Sequence, residues 1–528
     1  MKIALFALNS SYVHTNLAVR CIASALDKHG FSAQVIERSM KDRTREILSA
    51  LVSAEADVYG FSVYIWNRDS MLALAANLRE LCPDAKIVLG GPEISFEDES
   101  FFDRCPFVDN IIAGEGEDAF VSYCKELPPR HTVVMGTPYA DFVNTGILYD
   151  DYPPDTHSGG ILYYESARGC PYVCSYCLSS AVLGVRVKTA EDTIEQLRAF
   201  ELIDGVRVIK FVDRTFNFDR RRADKIWRAI SGESFTKTYH FEVCADLLDE
   251  ENFATLAAMP KGKIQLECGV QSTNSDTLAA IGRTSDPQKI ISALRRIRAV
   301  GNIHLHADLI AGLPQENFAR FARSFDEVYG ACDLLQLGFL KLLPGTALRK
   351  SCRDLGYRYS PTPPYEVLSS DALSFSDLCR LHAVDDVLDR FAGSGHFANT
   401  LAFLLRGHPS PFAFFDGLAQ SMPSPRSLSQ REAVVAFRKY AQTVTTDTSL
   451  LDAHLTLDWY LWERGSLPSA LSDCRHPEEI AVRRSYCETH DDVHPSDLLA
   501  CCLSIFPGTA VIINRAKHTY ELIQDGKE

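Results

Sequence analysis

The sequence predicts an α/β protein in three successive blocks. These are an N-terminal doubly wound, Rossmann-like sheet, a central partial (β/α)6 barrel, and a mostly helical C-terminal region. Two observations predict this. Short β-branched or apolar runs alternate with stretches of helical spacing over residues 1–128, and again over 161–347. That alternation marks βαβ units and parallel sheets. Past residue 348 the alternation gives way to helical spacing. The length of 528 residues agrees, since a domain takes about 150 residues on average.

In the first block, strands are expected near 3–7, 34–37, 58–63, 87–89 and 110–113, with helices near 17–28, 45–53, 69–82 and 119–127. Residues 129–160 read as a linker, rich in Pro, Gly and Asp, and Asp150-Asp151-Tyr152-Pro153-Pro154 disfavours helix. In the second block, strands are expected near 161–166, 206–212, 239–244, 264–270, 304–310 and 334–341. Helical stretches near 189–203, 219–230, 250–259, 286–300 and 317–330 separate them. The third block, 348–528, is broken by Pro-rich stretches at 360–364 and 408–411 and ends in a candidate hairpin over 511–523.

The net charge of −15 argues against a protein that coats nucleic acid. No apolar run approaches the roughly 20 residues that span a bilayer. The opening residues read as a strand rather than a signal peptide. Sixteen scattered cysteines without an export signal fit reduced thiols in a cytoplasm.

The sharpest chemical signal is Arg168-Gly169-Cys170-Pro171-Tyr172-Val173-Cys174-Ser175-Tyr176-Cys177. Cys-x3-Cys-x2-Cys on one short loop after a strand can aim three thiolates at a common centre. Soft thiolates favour iron–sulfur clusters or zinc. A closed zinc site wants four ligands, and no fourth Cys or His follows at close spacing. Three ligands on a cubane leave one iron open.

At these residues the chain resembles the radical S-adenosylmethionine (SAM) superfamily. The resemblance implies a 4Fe–4S cluster held by Cys170, Cys174 and Cys177, with SAM on the fourth iron and Tyr176 beside its adenine. Motifs in the expected order support it. Phe211-Val212-Asp213-Arg214-Thr215-Phe216 ends the second barrel strand and Glu267-Cys268-Gly269-Val270-Gln271-Ser272 the fourth. Asp308-Leu309-Ile310-Ala311-Gly312-Leu313-Pro314 ends the fifth, and Leu342-Leu343-Pro344-Gly345-Thr346 follows the sixth. Asp213, Glu242, Glu267, Gln271 and Leu340 are then the candidate SAM contacts, with no general acid or base assigned.

The first block resembles the cobalamin-binding domain found in one branch of that superfamily. Ligands of doubly wound sheets bind beyond the carboxyl ends of the strands. The candidate cobalamin contacts are accordingly Ser10, Tyr12, His14, Ser62, Val63, Gly90, Gly91, Glu93, Gly114, Glu115 and Gly116. Glycines there allow close backbone approach to a corrin. Asp-x-His-x-x-Gly, which ligates cobalt from below, is absent: Tyr12 precedes His14 by two, and Leu17 follows it by three. Stretches from 163 to 180 also resemble a subgroup with an appended C-terminal domain of unknown function.

Other features read as structural. Most of the acidic residues between 93 and 118 and the basic run Arg220, Arg221, Arg222, Lys225 and Arg228 fit solvated faces, with Glu115 or Glu117 the alternative partners of corrin amides. Cys352, Cys379, Cys474, Cys487, Cys501 and Cys502 fit structural thiols, and the aromatic run 457–462 fits core packing.

The resemblance implies a cobalamin-dependent radical SAM enzyme, a methyltransferase acting on an unreactive carbon and fed by an electron donor such as flavodoxin or ferredoxin. Two alternatives stand beside it. One is a radical SAM enzyme that rearranges or cyclises without methylation, and the other a non-catalytic corrinoid- or metal-binding protein. Composition leaves a small metabolite, lipid precursor, peptide or RNA open as substrate.

Overall fold

In the computed structural model, the described residues are 1–144, 146, 160–181, 184–422, 424–490, 493–507 and 509–524. They form two compact units. The first takes in Met1–Glu316, Ala331–Asp333 and Gly338–Ala372; the second takes in Asn317–Gly330, Leu334–Leu337 and Leu373–Glu528.

The first unit opens with parallel strands β1 (Ile3–Asn9), β2 (Ala33–Ser39), β3 (Val58–Ser62), β4 (Lys86–Gly90), β5 (Asn110–Ala113) and β6 (Thr132–Met135). Their order is β2-β1-β3-β4-β5-β6. Every residue of β1 is buried. Ala4, Phe6 and Leu8 pack into one core, while Ile3, Leu5 and Ala7 pack into the core on the opposite face. A parallel strand covered on both faces has to be apolar throughout, which is why β1 does not alternate in sequence. The chain steps to opposite sides of β1 to make β2 and β3, so the switch point lies at the carboxyl ends of β1 and β3.

One feature of this sheet departs from the sequence reading. Residues 132–135 fell in the expected linker, yet β6 pairs in parallel with β5 as the edge strand. Thr132-Val133-Val134-Met135 is β-prone, but the Pro and Gly around it mask a strand this short. Asp150–Pro154 lies outside the described residues.

Next comes β7 (Gly160–Tyr164). A small ladder joins β8 (Ala167–Arg168) to β9 (Arg186–Val187), and the barrel strands continue as β10 (Val206–Phe211), β11 (Thr238–Val243), β12 (Ile264–Gln271), β13 (His304–Ala311) and β14 (Leu334–Phe339). The sheet runs in sequence order from β7 through β10 to β14, the arrangement of a parallel half-barrel. Alternation sorts its two faces. On β12, Ile264, Leu266, Cys268 and Val270 are buried, while Gln265, Glu267, Gly269 and Gln271 stay half-buried on the other face. On β13, His306 and Asp308 likewise alternate with buried Leu305, Ala307 and Leu309. The polar set lines the concave face.

The expected boundary at 347/348 shifts. Beyond the half-barrel, β15 (Arg358–Tyr359) and β16 (Val367–Ser369) remain with the first unit, where Val367 N donates to Leu340 O at 2.9 Å. The helix Phe318–Tyr329, expected as part of the barrel block, falls in the second unit. There Phe318 and Phe325 pack their rings on Phe412 at 5.4 and 5.5 Å, and Asp326 accepts the Phe412 N–H. The rest of that unit is helical as expected, and it closes in an antiparallel sheet of β17 (Leu498–Cys502), β18 (Thr509–Asn514) and β19 (Thr519–Gln524).

Candidate functional site: a cavity between two sets of strand ends

A cavity of about 1070 Å³ lies in the first unit. One wall consists of the carboxyl ends of the N-terminal strands. Asn9, Ser10 and His14 follow β1; Ser62, Tyr64 and Trp66 end and follow β3; Gly90, Gly91 and Pro92 end and follow β4; Gly114, Glu115, Gly116 and Glu117 follow β5; Gly136 and Pro138 follow β6. The opposite wall comes from the half-barrel: Tyr163, Glu165, Arg168, Val212 and Arg214. Leu17, Val19, Cys21 and Ile22, from the helix after β1, extend it beneath the sheet.

Local sequence explains how the walls meet. Asn9 donates to the His14 carbonyl at 3.0 Å and to Glu37 at 2.8 Å, curling the loop back on itself. Asn16 caps the next helix by accepting from Val19 N. The loop between them docks on the barrel edge. Ile161 N donates to Val13 O at 2.6 Å, and Thr15 Oγ1 donates to Ile161 O. Tyr163 Oη and His14 Nδ1 lie 2.9 Å apart. Burial, then the Lys210 charge, lowers the His14 pKa and keeps the ring neutral near pH 7. On the far side, Asn67 ties the loop after β3 to Leu8 O and Tyr64 N. Gly91 is required at φ +112°, where a Cβ would sit 2.5 Å from Val63 O.

The cysteine loop leaves β8 at the barrel mouth. Gly169 holds φ +98°, and a Cβ there would lie 2.1 Å from Gly184 O. Ser175 N donates to Ile281 O at 2.9 Å, and Leu348 N donates to Ser175 O at 2.8 Å, which pins the loop from both sides. Burial pushes the Cys174 thiol pKa up; Arg283 opposes the shift, and Cys177 and Cys170 add to it. Cys174 therefore lies within the field of both other thiols of the loop. Among the described residues no three His, Cys, Asp or Glu side chains gather around a single-ion position. A cubane does not need that convergence, because each thiolate takes a different iron.

Comparison with known proteins agrees with this geometry. Residues 3–123 match the B12 binding domain, 164–328 the radical SAM superfamily, and 353–492 a protein family of unknown function, DUF4080. The chain therefore joins a B12-binding domain to a radical SAM domain. Its cofactors are a 4Fe–4S cluster, SAM and cobalamin. Among curated relatives, the "Uncharacterized methyltransferase PH0819" of Pyrococcus horikoshii is 25% identical over 60% of this chain and 73% of its own. The "Cobalamin-dependent radical SAM methyltransferase TokK" of Streptomyces tokunonensis is 27% identical over 54% of this chain and 45% of its own. Two solved structures share the fold. The cobalamin-dependent SAM radical enzyme OxsB aligns over 87% of this chain and 79% of its own, with a TM-score of 0.63 and 15% identity. The radical SAM methyltransferase TsrM from Kitasatospora setae aligns over 68% and 77%, with a TM-score of 0.52 and 16% identity.

The cavity of this radical SAM enzyme fits a corrin. It is larger than the roughly 300–1,000 Å³ of drug-sized pockets, and bare glycine backbone lines its strand-end wall. Eight of the eleven expected cobalamin contacts line it: Ser10, His14, Ser62, Gly90, Gly91, Gly114, Glu115 and Gly116. Three do not. Tyr12 is exposed and donates to Asp42. Val63 is buried in the core, its N–H donating to Gly90 O. Glu93 is buried too, paired with Arg68 at 2.9 Å and accepting from Tyr365 Oη at 2.5 Å.

The expected SAM contacts separate by role. Asp213 is fully buried and accepts from Ser166 N and Oγ at 2.7 and 2.5 Å, so it braces the segment leading to the cysteines. Burial pushes its pKa up to about 6, against the pull of Ser166 and Arg222. Leu340 has both backbone groups engaged, donating to Ala311 O and accepting from Val367 N. Tyr176 is half-buried beside Cys174 and Arg283. Gln271 ends β12 at φ +69°, with its buried Oε1 unpartnered. Glu242 and Glu267 face each other in register across β11 and β12. Glu267 also meets His240 at 3.2 Å and Lys210 at 3.3 Å; the His240 hydrogen bond first, then Lys210, takes its pKa down to about 2 despite burial.

Sequence reasoning missed Tyr163, Arg168, Arg186, Arg214, Tyr64, Trp66 and the helix face at 17–22 as cavity residues. Tyr64 and Trp66 lay in a loop already singled out, and their stacked rings, 4.4 Å apart, are an aromatic signal that was legible. The basic run also proves mixed. Arg220, Lys225 and Arg228 pair with surface carboxylates, whereas Arg222 is buried against Ser166 and Lys188.

Proposed function

We propose that this chain is a cobalamin-dependent radical SAM methyltransferase that moves a methyl group to an unactivated carbon. One observation carries the reading: a single cavity is walled by the carboxyl ends of the B12-binding sheet and by the β7 and β10 ends of the half-barrel. When bound, the cluster and SAM supply hydrogen abstraction, and cobalamin supplies the methyl group.

The chain's own residues bind, orient and shield. Cys170, Cys174 and Cys177 would hold the cluster on a loop fixed by Gly169 and Ser175. Gly90, Gly91, Gly114 and Gly116 would let the backbone approach the corrin face. Tyr163, Glu165, Val212 and Arg214, which line the cavity on the half-barrel side, would border the bound cofactors and the substrate. Gln271, with its unpartnered amide oxygen, is the best-placed SAM or substrate contact of those expected. Asp308, on the concave face, keeps its proton near neutral pH, because burial, then Glu267 and Glu242, pushes its pKa up to about 8. A flavodoxin- or ferredoxin-type electron donor, and a reducing cytoplasm that keeps the thiols available, complete the proposal.

The test uses anaerobically reconstituted, reduced protein with SAM, methylcobalamin and fractionated extract. 5′-Deoxyadenosine and S-adenosylhomocysteine rising together is the expected result. 5′-Deoxyadenosine alone would move the reading to non-methylating radical chemistry. No SAM cleavage at all would sink both.

A further inference from the structure

We infer that Arg168 is a positioning residue: a half-buried strut that fixes the iron–sulfur loop against the corrin-facing loop. The inference rests on the two-cofactor reading above. Arg168 stands two residues before Cys170 and reaches across to the other wall. Its Nη1 donates to Glu115 at 2.6 Å, and its Nη2 donates to Glu117 and to Glu165, both at 2.8 Å. Glu115 and Glu117 lie on the segment after β5, Glu165 on the segment after β7. The side chains are 14% exposed for Arg168 and 16%, 6% and 19% for Glu115, Glu117 and Glu165. The Phe142 ring covers the guanidinium at 4.7 Å.

Three features show that this is more than a surface ion pair. The first is charge balance. Arg186 also binds Glu115, and Lys188 lies in the field of Glu165, so three cations face three carboxylates. The second is rigidity on the corrin side. Glu115 also accepts from Tyr139 N at 2.9 Å, and a Cβ on Gly136 would lie 1.9 Å from Glu115 O, leaving that segment no room to move. The third is rigidity on the cluster side, where Ser175 N on Ile281 O and Leu348 N on Ser175 O pin the cysteine loop. The planar fork holds these carboxylates at fixed angles from separate nitrogens, whereas a lysine offers its three donors from one nitrogen on a flexible stem and does not reproduce that spacing. With both ends fixed, displacing one loop displaces the other.

Hydrogen exchange on the full chain without cofactors reads the strut directly. Glu115→Gln should speed exchange across 169–177 by at least about threefold, and Arg168→Gln should do the same across 113–118. Arg168→Lys should not restore protection. Changes confined to the substituted side, or rescue by lysine, would overturn the inference. Glu115→Gln and Glu117→Gln each remove one arm only, so the test survives if Arg168→Gln does not fold. On loaded protein, magnetic relaxation of cob(II)alamin by the reduced cluster should weaken at least about twofold in Arg168→Lys, with iron and cobalamin content unchanged. Unchanged relaxation would also overturn it. Failure of the unaltered chain to take up cobalamin would remove the proposed function, while the exchange result would still decide whether the strut exists.

Discussion

At the scale of single residues, the concave face of the half-barrel holds carboxyls in opposite states. Asp308 makes no ion pair among the described residues, and its folded pKa of about 8 lies above the unfolded value. A raised carboxyl stabilises the fold below its unfolded pKa, and that contribution is lost as pH rises through about 8. Asp308→Asn should therefore gain on the unaltered chain between about pH 5 and pH 8.5, by about 1–3 kcal/mol after allowing for water in the barrel. Melting temperatures at the two pH values measure it, and a constant gap would refute it. Glu267 has the opposite sign. Held down to about 2, it stabilises above its unfolded pKa and fails only as pH falls through about 2. Glu267→Gln should accordingly cost about 1–3 kcal/mol at neutral pH, with His240 and Lys210 left without their partner.

Gly169 is the other decisive single residue. Gly169→Ala combines a positive φ with a Cβ against Gly184 O and should cost about 1–3 kcal/mol. Iron content after reconstitution should fall with it; full iron loading would show that the turn tolerates a side chain. The glycine was visible in sequence only as part of Arg168-Gly169-Cys170. Its clash partner, in the loop before β9, was not.

At the scale of elements, strands and helices of the first unit were legible because their periods are local. β3, β10 and β12 fall within one residue of the expected spans, and β1 within two. β6 was hidden by its length and its neighbours. The partners of Asp213 and Leu340 were hidden for a different reason: motif order places a residue at a strand end but does not say which groups it already serves. The loop after β1 shows the same limit. Its pairing with β7 joins residues 148 positions apart. Tyr163→Phe should remove the contact to His14 and cost about 1 kcal/mol. A melting temperature unchanged by this substitution would mean that the backbone pairing alone holds the loop.

At the scale of the whole chain, unit boundaries do not follow the sequence blocks. The helix Phe318–Tyr329 precedes β14 yet packs its phenylalanines on the helix Pro411–Ser421. A chain ending at Ala372 should therefore expose Phe318, Phe321 and Phe325 and aggregate, where a barrel complete at 347 would stay in solution. Gel filtration of the truncated chain is the check. Among the described residues no helix is long and apolar enough to cross a membrane. In the second unit, the aromatic run 457–462 is core packing as expected, with Trp459, Tyr460 and Leu461 all buried.

By itself the sequence determined the cofactor chemistry and the two parallel sheets. Thiol spacing on one loop and the periodicity of side chains are short-range properties that any fold of this chain must respect. Tertiary structure alone decided which loops face each other, that Arg168 rather than Asp213 borders the cavity, and that Glu93 is buried against Arg68 and Tyr365. The reason is physical. A carboxylate at a strand end is chemically the same whether it faces a ligand or a buried guanidinium, and only long-range packing supplies the partner.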